Sequence, residues 1–228
     1  MRQPVTVAGA KLAEKPVLVP ALIVVNVVIF LITAVQAGNA STNYASPVFS
    51  DFSLVPVLVG VGEWWRLISS GFLHFGLIHL AMNMLALWVI GRDLELLLGR
   101  LRFGAVYALS LLGGSTAVFL MSSPMAMVGG ASGAVYGLMG GIAVAALRLK
   151  VSLKPVLMVI VLNIVLSLTI AQLSLLAHLG GLIAGALATA ALVYAPRERR
   201  TVFQGAALGG LLVLMIALLA VKDVVPMM

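Results

Sequence analysis

The chain has 228 residues, of which 62% are hydrophobic and only 9% charged, with a mean hydropathy of +1.18. An ordinary soluble domain carries about 25% charged residues, so this composition excludes one and requires a lipid environment. There is no cysteine, which excludes a disulfide framework and a thiolate metal site. The net charge of +7 does not point to nucleic acid, because no basic residue lies in an aromatic-interleaved cluster or a recognisable binding motif.

A helix needs about 20 apolar residues to cross the hydrocarbon core, and uncharged runs of that length recur along the chain. Val17 to Ala37 makes the first predicted span and Phe72 to Gly91 the second, ending at Arg92. The run Phe103 to Leu147 is too long for one span, and Ser122-Ser123-Pro124 with Gly129-Gly130 reads as a turn that divides it into spans three and four. The uncharged run Pro155 to Pro196 divides likewise at Gln172 to Ser174 into spans five and six. Thr201 to Val221 is the seventh. The fold class is therefore all-α, a polytopic membrane bundle.

Cytoplasmic loops collect Lys and Arg, which tests this segmentation independently of hydropathy. With the N-terminus inside, the inner segments hold Arg2, Lys11, Lys15, Arg92, Arg100, Arg102, Arg148, Lys150, Lys154, Arg197, Arg199 and Arg200, and the outer ones only Arg66 and Lys222. Twelve against two accounts for all fourteen basic residues. The C-terminus is then expected outside, and no cleavable leader is expected, because the first apolar run is full length. In the long outer loop from Asn39 to Ser70, Trp64-Trp65-Arg66 suits the headgroup interface. The sequence has no evident internal repeat, which weighs against a transporter built from repeated halves.

Ionisable groups inside a membrane are costly and mark functional sites by default. His74 and His79 lie near the start of span two and His178 near the start of span six, while Ser132 opens span four within Gly129-Gly130-Ala131-Ser132-Gly133. All three spans run from outside to inside, so four scattered positions share one depth. On span six, His178, Gly181 and Gly185 lie on one face, and on span four Gly133, Gly137 and Gly141 form a second small-residue stripe. Two such stripes let backbones approach closely enough for Ser132 and His178 to pair as nucleophile and general base.

A carboxylate for a triad is missing, because all seven acidic residues fall in predicted loops or termini. A Ser-His dyad is the expectation. Tyr136, one turn from Ser132, is the candidate to hold the imidazole by ring packing or a hydrogen bond. Acyl transfer also needs oxyanion donors, each worth about a hundredfold to a thousandfold in rate. His79 and Asn83, spaced i, i+4, can supply them, together with backbone N–H groups at the start of span four. Each feature has a plainer reading, as helix packing or an interhelical hydrogen bond. Two non-protease readings also stay open: a transporter or channel with the histidines relaying protons past Asn83 and Asn163, and a non-catalytic membrane chaperone using the same polar cavity.

These residues also carry a resemblance. Gly130-Ala131-Ser132-Gly133 with Tyr136 and Gly137 resembles the Gly-x-Ser-Gly motif of the rhomboid family, and Ala177-His178-Leu179-Gly180-Gly181 with Gly185 resembles its Ala-His-x-x-Gly-x-x-x-Gly motif. Trp65-Arg66, Phe72-Leu73-His74, His79-x-x-x-Asn83 and the Glu95 to Gly99 stretch are similar to further family signatures, in the family's order. The resemblance implies Ser132 as nucleophile and His178 as base, an oxyanion site from His79, Asn83 and the Ser132 amide with Gly130 shaping the loop, and structural roles for Arg66 and Glu95. It also implies a cytoplasmic tail over 1–16, a six-helix core over 17–195 and an extension over 196–228 carrying the seventh helix. No motif position departs from the active pattern. The expected activity is intramembrane serine endopeptidase, with transmembrane proteins as substrates, the bilayer as the other partner and no cofactor or metal. The expected location is a bacterial inner membrane, since no organellar targeting segment is evident. Substrate access is expected between helices, gated by span five and the Gln172 to Leu176 connection.

Overall fold

The computed structural model describes residues 5–169 and 173–224. Arg2, the beginning of the Gln172 to Leu176 connection and the side chain of Lys222 lie outside the described residues. Among the described residues the regular structure is all-helical apart from two isolated β-bridges. Helix α1 covers Leu18–Ala37, and the loop after it folds into three short helices, α2 (Pro47–Phe52), α3 (Pro56–Gly60) and α4 (Arg66–Ser69). Then come α5 (Gly76–Ala86), a π-helical turn (Leu87–Gly91) and α6 (Arg92–Leu98), which together form one continuous rod. Helices α7 (Arg100–Met121), α8 (Ser132–Leu149), α9 (Lys154–Thr169), α10 (Leu175–Val193) and α11 (Arg200–Val224) complete the bundle.

Among the described residues, six helical segments are long and apolar enough to span a membrane. The chain is thus an integral, multi-pass membrane protein. Helix α9, at the place of the predicted fifth span, has 16 residues among those described.

The second span differs from its expected limits. It begins at Gly76 rather than Phe72 and continues past Arg92 to Leu98. Charge does not end this helix, because its one deeply buried charge is satisfied. Glu95, 1% exposed, accepts three backbone N–H groups at the start of α1: Val17 and Leu18 at 2.7 and 3.0 Å on Oε1, and Val19 at 2.9 Å on Oε2. The carboxylate from one helix thereby caps another, where the first amides have no intrahelical partner. Glu95 is therefore a buried helical residue and not a loop residue. The rod stops at Gly99, whose φ of 83° L side chains rarely adopt.

Helices α7, α8 and α10 form the centre. Their lipid-length windows are 67%, 61% and 50% buried inside the protein, against 22% for α1 and 17% for α11. The two glycine stripes meet as expected. A Cβ at Gly181 would collide with the carbonyl oxygen of Gly133, and one at Gly185 with that of Gly137, so backbone lies directly on backbone. The two ends of the bundle carry different polar groups. At one end, Arg102 Nε donates to Gln204 Oε1 at 2.9 Å, and Arg148 Nε donates to the Val193 carbonyl at 3.2 Å. A cavity of about 810 Å³ opens there, lined in part by Lys11, Lys15, Arg100 and Arg102. Ser132 and the histidines gather at the other.

Candidate active site

Ser132 is the first residue of α8 and His178 lies in the first turn of α10. The glycine seam draws these two helix starts together, leaving Ser132 Oγ 2.8 Å from His178 Nε2. Tyr136, one turn along α8, stacks on the imidazole with centroids 4.0 Å apart and planes 7° from parallel. It is ring packing, not a hydrogen bond, that joins Tyr136 to His178. The phenol instead contacts Ser167 Oγ at 2.9 Å.

Ser167, on α9, is a residue the motif reading passed over. Its Oγ lies 2.6 Å from His178 Nδ1 and 2.8 Å from the Asn163 carbonyl. The signal that would have found it is depth: spans five and six are consecutive in the chain, so a serine near the end of one stands level with a histidine at the start of the next. Among the described residues, the hydrogen-bond partners of the His178 ring are Ser132 and Ser167, and no carboxylate is among them.

His79 lies in the first turn of α5. Its Nδ1 accepts from the Phe75 N–H at 3.2 Å, which puts the proton of the neutral ring on Nε2. That Nε2 is buried and has no hydrogen-bond partner among the described residues. It faces Gly130, where a Cβ would sit 3.0 Å from Nε2 and 3.7 Å from Ser132 Oγ. The missing side chain of Gly130, whose φ is 133°, thus leaves room between an unspent donor and the serine. Asn83 is buried, and one of its amide protons is spent on the His79 carbonyl at 2.9 Å. Asn163 turns back in the same way to the Val159 carbonyl at 2.8 Å.

His74 precedes the span rather than belonging to it, and it is fully buried. Its Nε2 accepts from the Ala131 N–H at 3.4 Å, while Asn43 Nδ2 donates to its carbonyl at 2.8 Å. It supports the loop that delivers Ser132. The same loop is clamped by an antiparallel bridge, Leu54 N–H to Val128 O and Val128 N–H to Leu54 O, both 2.9 Å, and by the Gly130 N–H on the Ser70 carbonyl at 2.9 Å. Arg66, 4% exposed, holds the other partner of that bridge. Its Nη1 donates to the Ser50 and Ser53 carbonyls, each at 2.7 Å, and its Nε to Glu63 at 2.6 Å.

The arrangement offers a hydroxyl against a histidine nitrogen, a second histidine with a free donor, and a helix start whose first amides carry no side-chain cap. Ser132 and His79 are partly exposed, whereas His178 is covered. Such a constellation holds the kinds of group that the class of serine acyl-transfer enzymes uses.

Comparison with known proteins agrees with that class. The family model described as Rhomboid domain matches residues 61–195, more than half of the chain. The chain belongs to the rhomboid family. It is 33% identical over 184 residues to the rhomboid protease GluP of Bacillus subtilis (strain 168), an alignment covering 78% of this chain and 35% of that protein. It is 42% identical over 135 residues to RHOMBOID-like protein 5 of Arabidopsis thaliana, covering 56% and 44%. To the putative rhomboid protease YdcA of Bacillus subtilis it is 42% identical over 83 residues, covering 36% and 41%. The chain spans less than half the length of each of these relatives.

Proposed function

We propose that this protein is an intramembrane serine endopeptidase that hydrolyses peptide bonds in or near transmembrane segments of other membrane proteins. The observation that carries the reading is the 2.8 Å contact between Ser132 Oγ and His178 Nε2, with the imidazole stacked on Tyr136. Ser132 Oγ attacks the substrate carbonyl carbon while its proton passes to Nε2. The carbonyl oxygen takes up negative charge, and the His79 Nε2–H and the amides at the start of α8 stabilise it, with Asn83 supporting through its remaining amide proton. The C–N bond then breaks, and the proton on Nε2 goes to the leaving amine. Water then attacks the acyl carbon as its proton passes to the same nitrogen, and that proton goes to Ser132 Oγ as the ester bond breaks and the acid product leaves. A backbone held in its own helical hydrogen bonds cannot present its carbonyl, so substrates with Gly, Pro or small residues near the cut are favoured.

In this reading residues 17–195 form the catalytic core, 196–228 an added helix, and 1–16 a cytoplasmic tail. The site faces the outer side of a bacterial inner membrane, and the distribution of basic residues supports that orientation. The test uses the full chain in liposomes with a fluorogenic transmembrane substrate. Ser132→Ala is expected to abolish cleavage and fluorophosphonate labelling while the protein still folds. Cleavage by the variant at the wild-type rate would overturn the assignment.

A further inference from the structure

We propose that Ser167 is a positioning residue that fixes the tautomer of His178, doing from α9 what a carboxylate does in a serine-protease triad. The inference rests on the protease reading above and concerns how the base is held ready.

The argument is a count of protons. Among the described residues Ser167 Oγ has three partners: the Asn163 carbonyl at 2.8 Å, the Tyr136 hydroxyl at 2.9 Å and His178 Nδ1 at 2.6 Å. A hydroxyl has one proton to give and two lone pairs to offer. The carbonyl can only accept, so the Ser167 proton goes to Asn163. Both remaining partners then donate to Ser167, Tyr136 through its O–H and His178 through Nδ1–H. Every contact is satisfied with one proton each, in a buried place where an unmatched polar group is expensive.

With the proton on Nδ1, the lone pair of the neutral imidazole lies on Nε2, where Ser132 Oγ–H points at 2.8 Å. The opposite assignment fails twice. If Ser167 donated to Nδ1, the Asn163 contact would hold no proton, and Nε2 would carry one towards Ser132, unable to accept from it. Ser167 therefore selects the form of His178 that can act as a base. It does so without burying a charge, which explains how the site works with no acid beside it among the described residues. Tyr136 fixes the plane of the ring, and Ser167 fixes its protonation.

The experiment compares Ser167→Thr with Ser167→Val, which are nearly the same shape and differ in the hydroxyl. Full-length variants in liposomes are assayed on the fluorogenic transmembrane substrate, beside wild type and Ser132→Ala. The Thr variant is expected to keep kcat within roughly threefold of wild type. The Val variant is expected to lose on the order of 10- to 100-fold in kcat with KM within about twofold, less than the roughly 10,000-fold that a mis-set tautomer costs a carboxylate triad. Nitrogen-15 histidine spectra should show Nδ1-protonated His178 in wild type and Thr, and a mixed population in Val. Equal kcat for Thr and Val, or an unchanged tautomer in Val, overturns the inference while the protease reading stands. An inactive wild type overturns that reading instead, and the spectra then decide the tautomer alone. If neither β-branched variant folds, Ser167→Ala is read by the same spectra, with an unchanged tautomer again overturning the inference.

Discussion

His178 is held from two sides by opposite means. On one side, the seam of α8 and α10 places it by direct backbone contact, with Gly133 against Gly181 and Gly137 against Gly185 and no space for a methyl group. On the other, α9 reaches the ring through the hydroxyl of Ser167, and much of the rest of that helix is turned outward, with Leu157, Met158, Val161 and Leu162 all exposed. Packing of the first kind is indifferent to protonation but intolerant of volume. A hydrogen bond is the reverse. The site thus divides its requirements, position from the seam and chemical state from a more loosely attached helix.

The largest effect should come from breaking the seam. Gly185→Leu drives its side chain into the Gly137 carbonyl, and it is expected to yield no stably folded protein in a detergent unfolding titration, whereas Leu162→Ala on the outer face of α9 should change stability by less than about 0.5 kcal/mol. Near-equal stability losses would remove the contrast. Next is His79→Ala, which leaves both supports of His178 in place. Its kcat should fall roughly 100- to 1,000-fold with unfolding unchanged, the scale of one lost oxyanion donor, and steady-state kinetics with the fluorogenic substrate measures it. The smallest is Tyr136→Phe. Stacking survives and one donor to Ser167 is lost, so kcat should drop by less than about tenfold, and a larger loss would mean that the phenol hydroxyl does more than complete the network.

Much of this architecture was legible in the sequence because two signals, hydropathy and charge, are set by the membrane itself. The runs and the Lys/Arg positions placed the helices in order, and the alternating direction of spans put Ser132, His79 and His178 at one end. The limits of the second span were not legible. Arg92, Asp93 and Glu95 read as the end of a helix unless it is known that Val17, Leu18 and Val19 wait for a carboxylate. Ser167 was missed for a similar reason, since a lone serine in an apolar helix has no spacing that marks it. The Leu54–Val128 bridge, pairing residues far apart in sequence, was equally invisible.

The clamp of Glu95 on α1 also bears on the order of assembly. The amides of Val17, Leu18 and Val19 lie at one end of the first hydrophobic helix, and their partner is made more than seventy residues later. During synthesis α1 therefore enters the bilayer with three N–H groups that only headgroups or water can satisfy. It gains its final anchor when the second long helix arrives with the carboxylate. The contact requires the start of α1 and the end of the second long helix to lie on the same side, so it is compatible only with the two crossing in opposite directions.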